Sequence, residues 1–434
     1  MRFYDTMFCR RKVLLLLFSL IAATGASAQV GQSPYTVRGI GSINSLANVR
    51  NAGMGGVGIG NTHPLFISIQ NPALLAYNAY YTTAIAGLSV ESRRLATTET
   101  QDRLSSGGFD YLAVAFPLLK YKIGFNIGLA PYSTVSYRLL ATDPVQGLPN
   151  SRSTALYEGS GGLTQAYAAT GVNIYKGLTA GVRVSYLFGN ISEQISTTFS
   201  SDSVSAAGYA ANFSQRSNYS DILFSGGLGY RKELNKEKQT YLMAGFTYEL
   251  ETDIDANLTF SKWRQQNVTG GSFLVSDTLA KNYNGSLLLP AAIGFGASFG
   301  RLYSFAVGAD IRMQNWERYR DFESGADSGL GNSYRIAAGG EWTPNYVSRN
   351  YFSRVTYRTG VQVEKTPFLV NGEEINEFGI NFGLTLPVGA SGVHTSFSLG
   401  QRGKTDNDLI RERFFRIGLG VTLNERWFER YRYD

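Results

Sequence analysis

The 434-residue chain contains one cysteine, Cys9, and two histidines, His63 and His394. A single thiol excludes a disulfide framework and a thiolate metal site, so neither a metal nor a cofactor is implied. Beyond residue 28 there is no apolar run of the eighteen residues that a membrane-spanning helix needs, which excludes a helical inner-membrane protein. Charge is modest too, at a formal +7. No block of lysine and arginine interleaved with stacking aromatics occurs, which excludes nucleic acid as a partner.

What is present begins at the N-terminus. Arg2, Arg10, Arg11 and Lys12 stand before the apolar run 13–23, and Ala26-Ser27-Ala28 has the form that signal peptidase accepts. Residues 1–28 read as a signal peptide cleaved after Ala28, with Gln29 as the first mature residue. Cys9 precedes the apolar run, so it is not a lipoprotein acylation site. Cleavage removes four positive charges and one negative, leaving +4 and no cysteine.

The remaining chain is rich in glycine (49) and in tyrosine and phenylalanine (27 and 26). An exported membrane protein without spanning helices has one alternative, a closed β-barrel, because every backbone N–H and C=O must find a partner within the protein. The pattern agrees. Ile123, Phe125, Ile127 and Leu129 alternate with Gly124, Asn126, Gly128 and Ala130, while Val182, Val184, Tyr186 and Phe188 alternate with Arg183, Ser185, Leu187 and Gly189. Period-two alternation presents one face to lipid and the other to a lumen. Counting such segments gives strands near 79–91, 108–118, 121–138, 164–175, 177–199, 215–231, 239–262, 284–300, 302–317, 331–343, 352–364, 374–386, 392–401 and 409–424. That is an all-β, 14-stranded antiparallel transmembrane β-barrel over 79–424. Short periplasmic turns such as Leu119-Lys120 and Lys176 alternate with long polar outer connections at 92–107, 139–163, 200–214 and 263–283. Aromatics at strand ends, among them Tyr80, Tyr81, Trp263, Trp316 and Trp342, suit interfacial girdles in outer-membrane lipid. Residues 425–434 read as a periplasmic C-terminal tail, and the last strand, from Arg416 to Leu423, carries a pattern similar to the signal read by the barrel-assembly machinery during biogenesis.

Residues 29–78 lack sustained alternation and precede the first strand, so they read as a hatch, or plug, folded into the lumen. Asn51-Ala52-Gly53-Met54-Gly55-Gly56-Val57 followed by Asn71-Pro72-Ala73-Leu74-Leu75 resembles the hatch signature of the FadL/TodX outer-membrane transporters, with Leu74 where that family usually has glycine. Ala130-Pro131-Tyr132-Ser133 resembles the family's third-strand element, and Leu289-Pro290-Ala291 and the segment from Asp310 to Trp316 resemble later ones. The resemblance implies passive uptake of small hydrophobic molecules, long-chain fatty acids or hydrocarbons, released sideways through a kinked third strand. The alternative is a FadL-like structural or shuttling barrel, as in type IX protein secretion, that binds protein partners. A continuous apolar path from the outer loops to the third strand would separate the two.

Three groups of candidate residues follow. Pro131, between Ala130 and Tyr132, sits mid-strand, where proline removes a ladder hydrogen bond and opens the wall or marks the strand's exit from the membrane. Asn71, Pro72 and Ala73 form a turn or tie the hatch to the wall. The inward faces carry Lys122, Arg183, Glu249, Glu251, Asp310, Arg312, Arg335, Glu341, Arg354, Arg358, Glu364 and Arg416; of these Lys122, Arg183, Arg335 and Arg358 are candidates to bind a carboxylate headgroup or to pair within the lumen. Gly56, Gly58 and Gly60 lack the strand and helix of a phosphate loop. His394 shares a strand face with Ser396 and Ser398 but lacks an orienting group, so no catalytic residue is assigned and the chain does not read as an enzyme.

Overall fold

The computed structural model describes residues 33–78, 80–120, 122–145, 151–201, 209–268, 271–277, 282–321, 329–407 and 409–427. The signal peptide, its cleavage site and most of the C-terminal tail lie outside these residues. Fourteen antiparallel strands close into one barrel among the described residues. They are β1 (Thr82–Ala96), β2 (Gln101–Leu119), β3 (Ile123–Pro131 and Ser133–Pro144), β4 (Ser151–Tyr175), β5 (Leu178–Ser201), β6 (Tyr209–Asn235) and β7 (Thr240–Glu249 and Thr252–Val268). Then come β8 (Gly271–Asp277, Asn282–Leu289 and Ala292–Arg301), β9 (Phe305–Gln314), β10 (Ser333–Trp342), β11 (Thr356–Val370), β12 (Glu373–Val388), β13 (Ser391–Arg402) and β14 (Arg411–Glu425). β14 pairs β1 from Arg411↔Ala96 to Glu425↔Thr82, so no edge remains at the seam.

The alternating apolar side chains, including Val182, Val184, Phe224 and Phe382, are exposed on the outer wall, where lipid would cover them. No helix among the described residues is long and apolar enough to cross a membrane. The outer connections differ from expectation. The ladder runs straight through most of 92–107, 139–163 and 200–214: β1 and β2 stay paired to Ala96↔Gln101, and β4 and β5 to Ser151↔Ser201. Above the membrane no lipid selects apolar side chains on one face, so strands continue there without the alternation that marks them below. A second difference lies at 351–354, where a one-turn helix, α2 (Tyr351–Arg354), precedes β11. Arg354 therefore belongs to the periplasmic connection and not to the lumen wall.

Candidate functional site: the plugged lumen

The segment 33–78 fills the barrel with short elements: a 3-10 turn Pro34–Val37, a two-residue strand Ser42–Ile43, the one-turn helix α1 (Val49–Ala52) and a longer 3-10 stretch Pro72–Asn78. Glycine on the wall is what lets its backbone lie this close. A Cβ on Gly360 would fall 2.2 Å from the Met54 carbonyl carbon, on Gly245 2.0 Å from the Ile59 carbonyl oxygen, and on Gly171 2.4 Å from that of Pro72. These small inward positions were visible in the alternation, but only their apposition to one inner segment gives them a role.

Polar ties complete the contact. Asn71, fully buried, donates from Nδ2 to the Ile59 carbonyl (2.9 Å) and to the Leu228 carbonyl of β6 (3.0 Å), while its Oδ1 accepts from the Ala73 N–H (3.0 Å). One side chain thus caps the turn that Pro72 and Ala73 enter and pins it to the wall. Asp310 of β9 accepts on Oδ2 from the Gly58 and Ile59 N–H groups at 2.6 and 2.7 Å. Arg183 donates to the Gln70 carbonyl (3.1 Å), and Arg335 to the Gly55 carbonyl (3.3 Å) and Gln362 Oε1 (2.6 Å). Arg358 donates to Glu341 Oε2 at 2.9 Å, and Arg50 of α1 meets the other oxygen of Glu341 at 2.6 Å. Three of the four expected lumen cations therefore touch the inner segment or its ion-pair network. Lys122 does not: it is exposed in the turn between β2 and β3, because the strand's alternation carries no face assignment past its end. Glu251 also sits away from the plug, paired with Arg318 at 2.9 Å.

A second network joins Arg416, expected on the inner face, to Glu91, Arg93, Glu377, Arg402 and Glu412, which were not anticipated. Glu91 accepts from both Arg93 and Arg416, Glu412 pairs with Arg93, and Glu377 binds Arg402 at 2.6 Å. Glu91 closes the first strand read from the sequence and Arg93 falls in the connection assigned to 92–107, where the apolar alternation of β1 fades and no longer assigns a face. Of these groups Arg93, Glu377, Arg402 and Arg416 border a cavity of about 160 Å³ that also touches Asp110, Asn381 and Pro131. Above it the lumen is closed by a packed apolar core that includes Tyr132, Leu163, Leu187, Trp316, Tyr319 and Phe368.

The wall changes course at Pro131. Pairing of β3 with β2 ends at Leu112↔Leu129, and pairing with β4 runs to Pro131↔Thr164 before resuming at Val135↔Gly161 with one extra residue on the β3 side. Opposite that bulge β4 carries Gly161 and Gly162, whose φ values are +114° and +146°. A Cβ on Gly162 would fall 2.3 Å from the Ser133 carbonyl oxygen. Ala130 is buried, and Tyr132, also buried, donates its hydroxyl to Glu249 at 3.0 Å. On the β2 side of β3, the inner strand supplies Ser42↔Thr134 and Ile43↔Ser133.

The histidines have structural partners. His394 lies 2.7 Å from the Thr385 hydroxyl through Nδ1 and 2.8 Å from that of Thr422 through Nε2, so both ring nitrogens are engaged by threonines and not by Ser396 or Ser398. His63 accepts the Leu65 N–H on Nδ1, and burial pushes its pKa down to about 3. No cluster of potential metal ligands occurs among the described residues.

A closed fourteen-strand barrel with a hatch-like segment inside and a kinked third strand is the fold of the FadL-type outer-membrane proteins. The family profile that matches, over residues 10–434, is that of BamG, and the chain belongs to the BamG family. Among solved structures it is similar to the CymD monoaromatic hydrocarbon channel (TM-score 0.55, 12% identity, covering 89% of this chain and 100% of that one). It is also similar to the Pseudomonas putida toluene transporter TodX (0.52, 14%, 89% and 100%) and to a Pseudomonas aeruginosa FadL homologue (0.52, 11%, 88% and 98%). At these identities the likeness is one of fold. No curated protein matches the chain.

Proposed function

We propose that this chain is a plugged outer-membrane barrel that binds protein partners, as a structural component of a machinery for protein assembly or secretion. The observation that carries this reading is the character of the lumen. Its outer half is packed apolar core, and the cavity that reaches Pro131 is bordered by ion-paired arginine and glutamate. An apolar solute crossing that cavity would strip water from charged groups and offer them nothing in return, at a cost of several kcal/mol per ion. The name of the family supports the same reading, since Bam denotes the barrel-assembly machinery.

A second reading is favoured by the β3 kink and by the solved neighbours, described as a monoaromatic hydrocarbon channel and a toluene transporter. In it, movement of the inner segment frees a path for a fatty acid or hydrocarbon that leaves sideways near Pro131. Neither reading involves a cofactor or a catalytic step.

Purification from native membranes in mild detergent, followed by mass spectrometry of both proteins and released small molecules, tests the choice. The partner-binding reading expects a protein in fixed ratio to the barrel and no apolar ligand in fixed ratio. A barrel that purifies alone with about one apolar molecule per chain overturns it.

A further inference from the structure

The wall is uneven in height. β4, β5 and β6 have 25, 24 and 27 residues, against 10 each in β9 and β10. The turns at the periplasmic ends are short, so the surplus stands on the outer side, about 45 to 55 Å of strand before tilt. This tall arc has a lumen-side face that continues above the packed core. The β5–β6 ladder runs without a shift from Leu178↔Tyr230 to Thr198↔Ala210, so counting in twos from buried Ile191 and Tyr219 assigns Ile195 and Phe213 to that face. The same count takes Leu258 to Phe260 on β7 and Leu287 to Tyr283 on β8.

These residues form one patch. Tyr157, Ile195 and Phe213 are direct cross-strand neighbours, and the Phe260 and Tyr283 rings meet edge to face at 6.0 Å. They stay accessible, with Tyr157 37%, Ile195 38%, Phe213 46% and Tyr283 49% exposed, although no lipid reaches the inner face. Lys262, opposite Phe213 on β7, and Arg264 above it lie on the same side and are exposed.

Resting on the partner-binding reading, we propose that this face docks an extracellular protein domain that presents an apolar patch with an acidic rim. Size decides between a protein and a small molecule. Five strands at about 4.8 Å by roughly eight residues at about 3.3 Å give about 600 Å², close to the ~800 Å² per side of a standard protein interface. A small apolar ligand needs a pocket enclosing most of its surface, whereas this patch is spread along an open wall. Lys262 and Arg264 select for acid at the rim.

The test places a photoreactive benzophenone amino acid at 195, 213 or 260 in the full-length protein in intact cells. Matched controls go at 138 and 140, on the outer face of β3, where Leu140 is 70% exposed. Alongside, I195N/F213N is compared with wild type for the protein that copurifies in fixed ratio, heat-modifiable migration serving as the check on barrel folding. The expected result is one adduct of a single mass at all three lumen-side positions and none at the controls, with at least tenfold less of that same protein retained by the folded double variant. Adducts confined to the controls, or undiminished retention by the variant, overturn the surface while leaving a protein partner in place. Absence of any protein partner overturns both proposals. A small apolar molecule retained by wild type and lost from I195N/F213N assigns the face to a ligand and overturns the docking of a protein.

Discussion

Replacing Glu341 by glutamine tests whether ion pairing holds the inner segment shut. Glu341 sits between Arg50 on α1 and Arg358 on β11, at 2.6 and 2.9 Å, and both arginine side chains are almost fully buried. Glutamine keeps the size and one acceptor but removes the charge, leaving two buried guanidinium groups without a carboxylate. Breaking a buried pair by removing one partner costs about 3–5 kcal/mol, so E341Q should raise the opening equilibrium of residues 49–60 by about two to four orders of magnitude. R50M is milder, because Glu341 keeps Arg358 and Arg358 keeps the Thr385 hydroxyl. The double variant R50M/E341Q should be more stable than E341Q alone, since it removes one of the stranded cations. Hydrogen exchange of the 49–60 amides in reconstituted protein reads all three. Exchange in E341Q within threefold of wild type, or simple additivity in the double variant, would refute the reasoning.

Three further outcomes are expected. N71A removes two donated bonds and one accepted bond in a fully buried turn; at about 1–3 kcal/mol for the groups left unsatisfied, cysteine labelling at position 73 should accelerate at least tenfold, and unchanged labelling would show that the turn stands without its tie to β6. G360A drives a methyl into the Met54 carbonyl group at 2.2 Å, so it should loosen the inner segment while the barrel itself still folds, read as faster protease cleavage near Met54 with normal heat-modifiable migration. His63 has a folded pKa of about 3, below the ordinary value near 6.5. The opened segment therefore takes up a proton that the closed one refuses, and closure weakens as pH falls from about 6.5 towards 3. Opening measured between pH 7 and pH 4 should rise in wild type by up to tenfold per unit, and H63F should lose this contribution; equal slopes would sink the assignment.

How much of this the sequence makes legible follows from which forces act locally. Within the membrane band, lipid imposes an apolar residue at every second position, so Val182, Val184 and Tyr186 declare both a strand and its face, and the count of fourteen strands follows from repeating that reading. Outside the band the constraint vanishes while the hydrogen-bond ladder continues, which is why the outward reach of β4 to β6 looked like loop. The charges behave in the same way: that Arg183, Arg335 and Arg358 point inward follows from alternation, but that Arg358 shares Glu341 with Arg50 depends on residues almost 300 positions apart. Glycine shows the limit best. Gly171, Gly245 and Gly360 occupy inward positions that a porin would fill with polar side chains, and each lies within about 2.5 Å, measured from a built Cβ, of a carbonyl group of the inner segment. A backbone cannot approach that closely unless the wall positions opposite it are small. An inward glycine on several strands of one barrel therefore has a single physical account, a segment that lies against the wall, and substituting any of these glycines should loosen that segment before it harms the barrel.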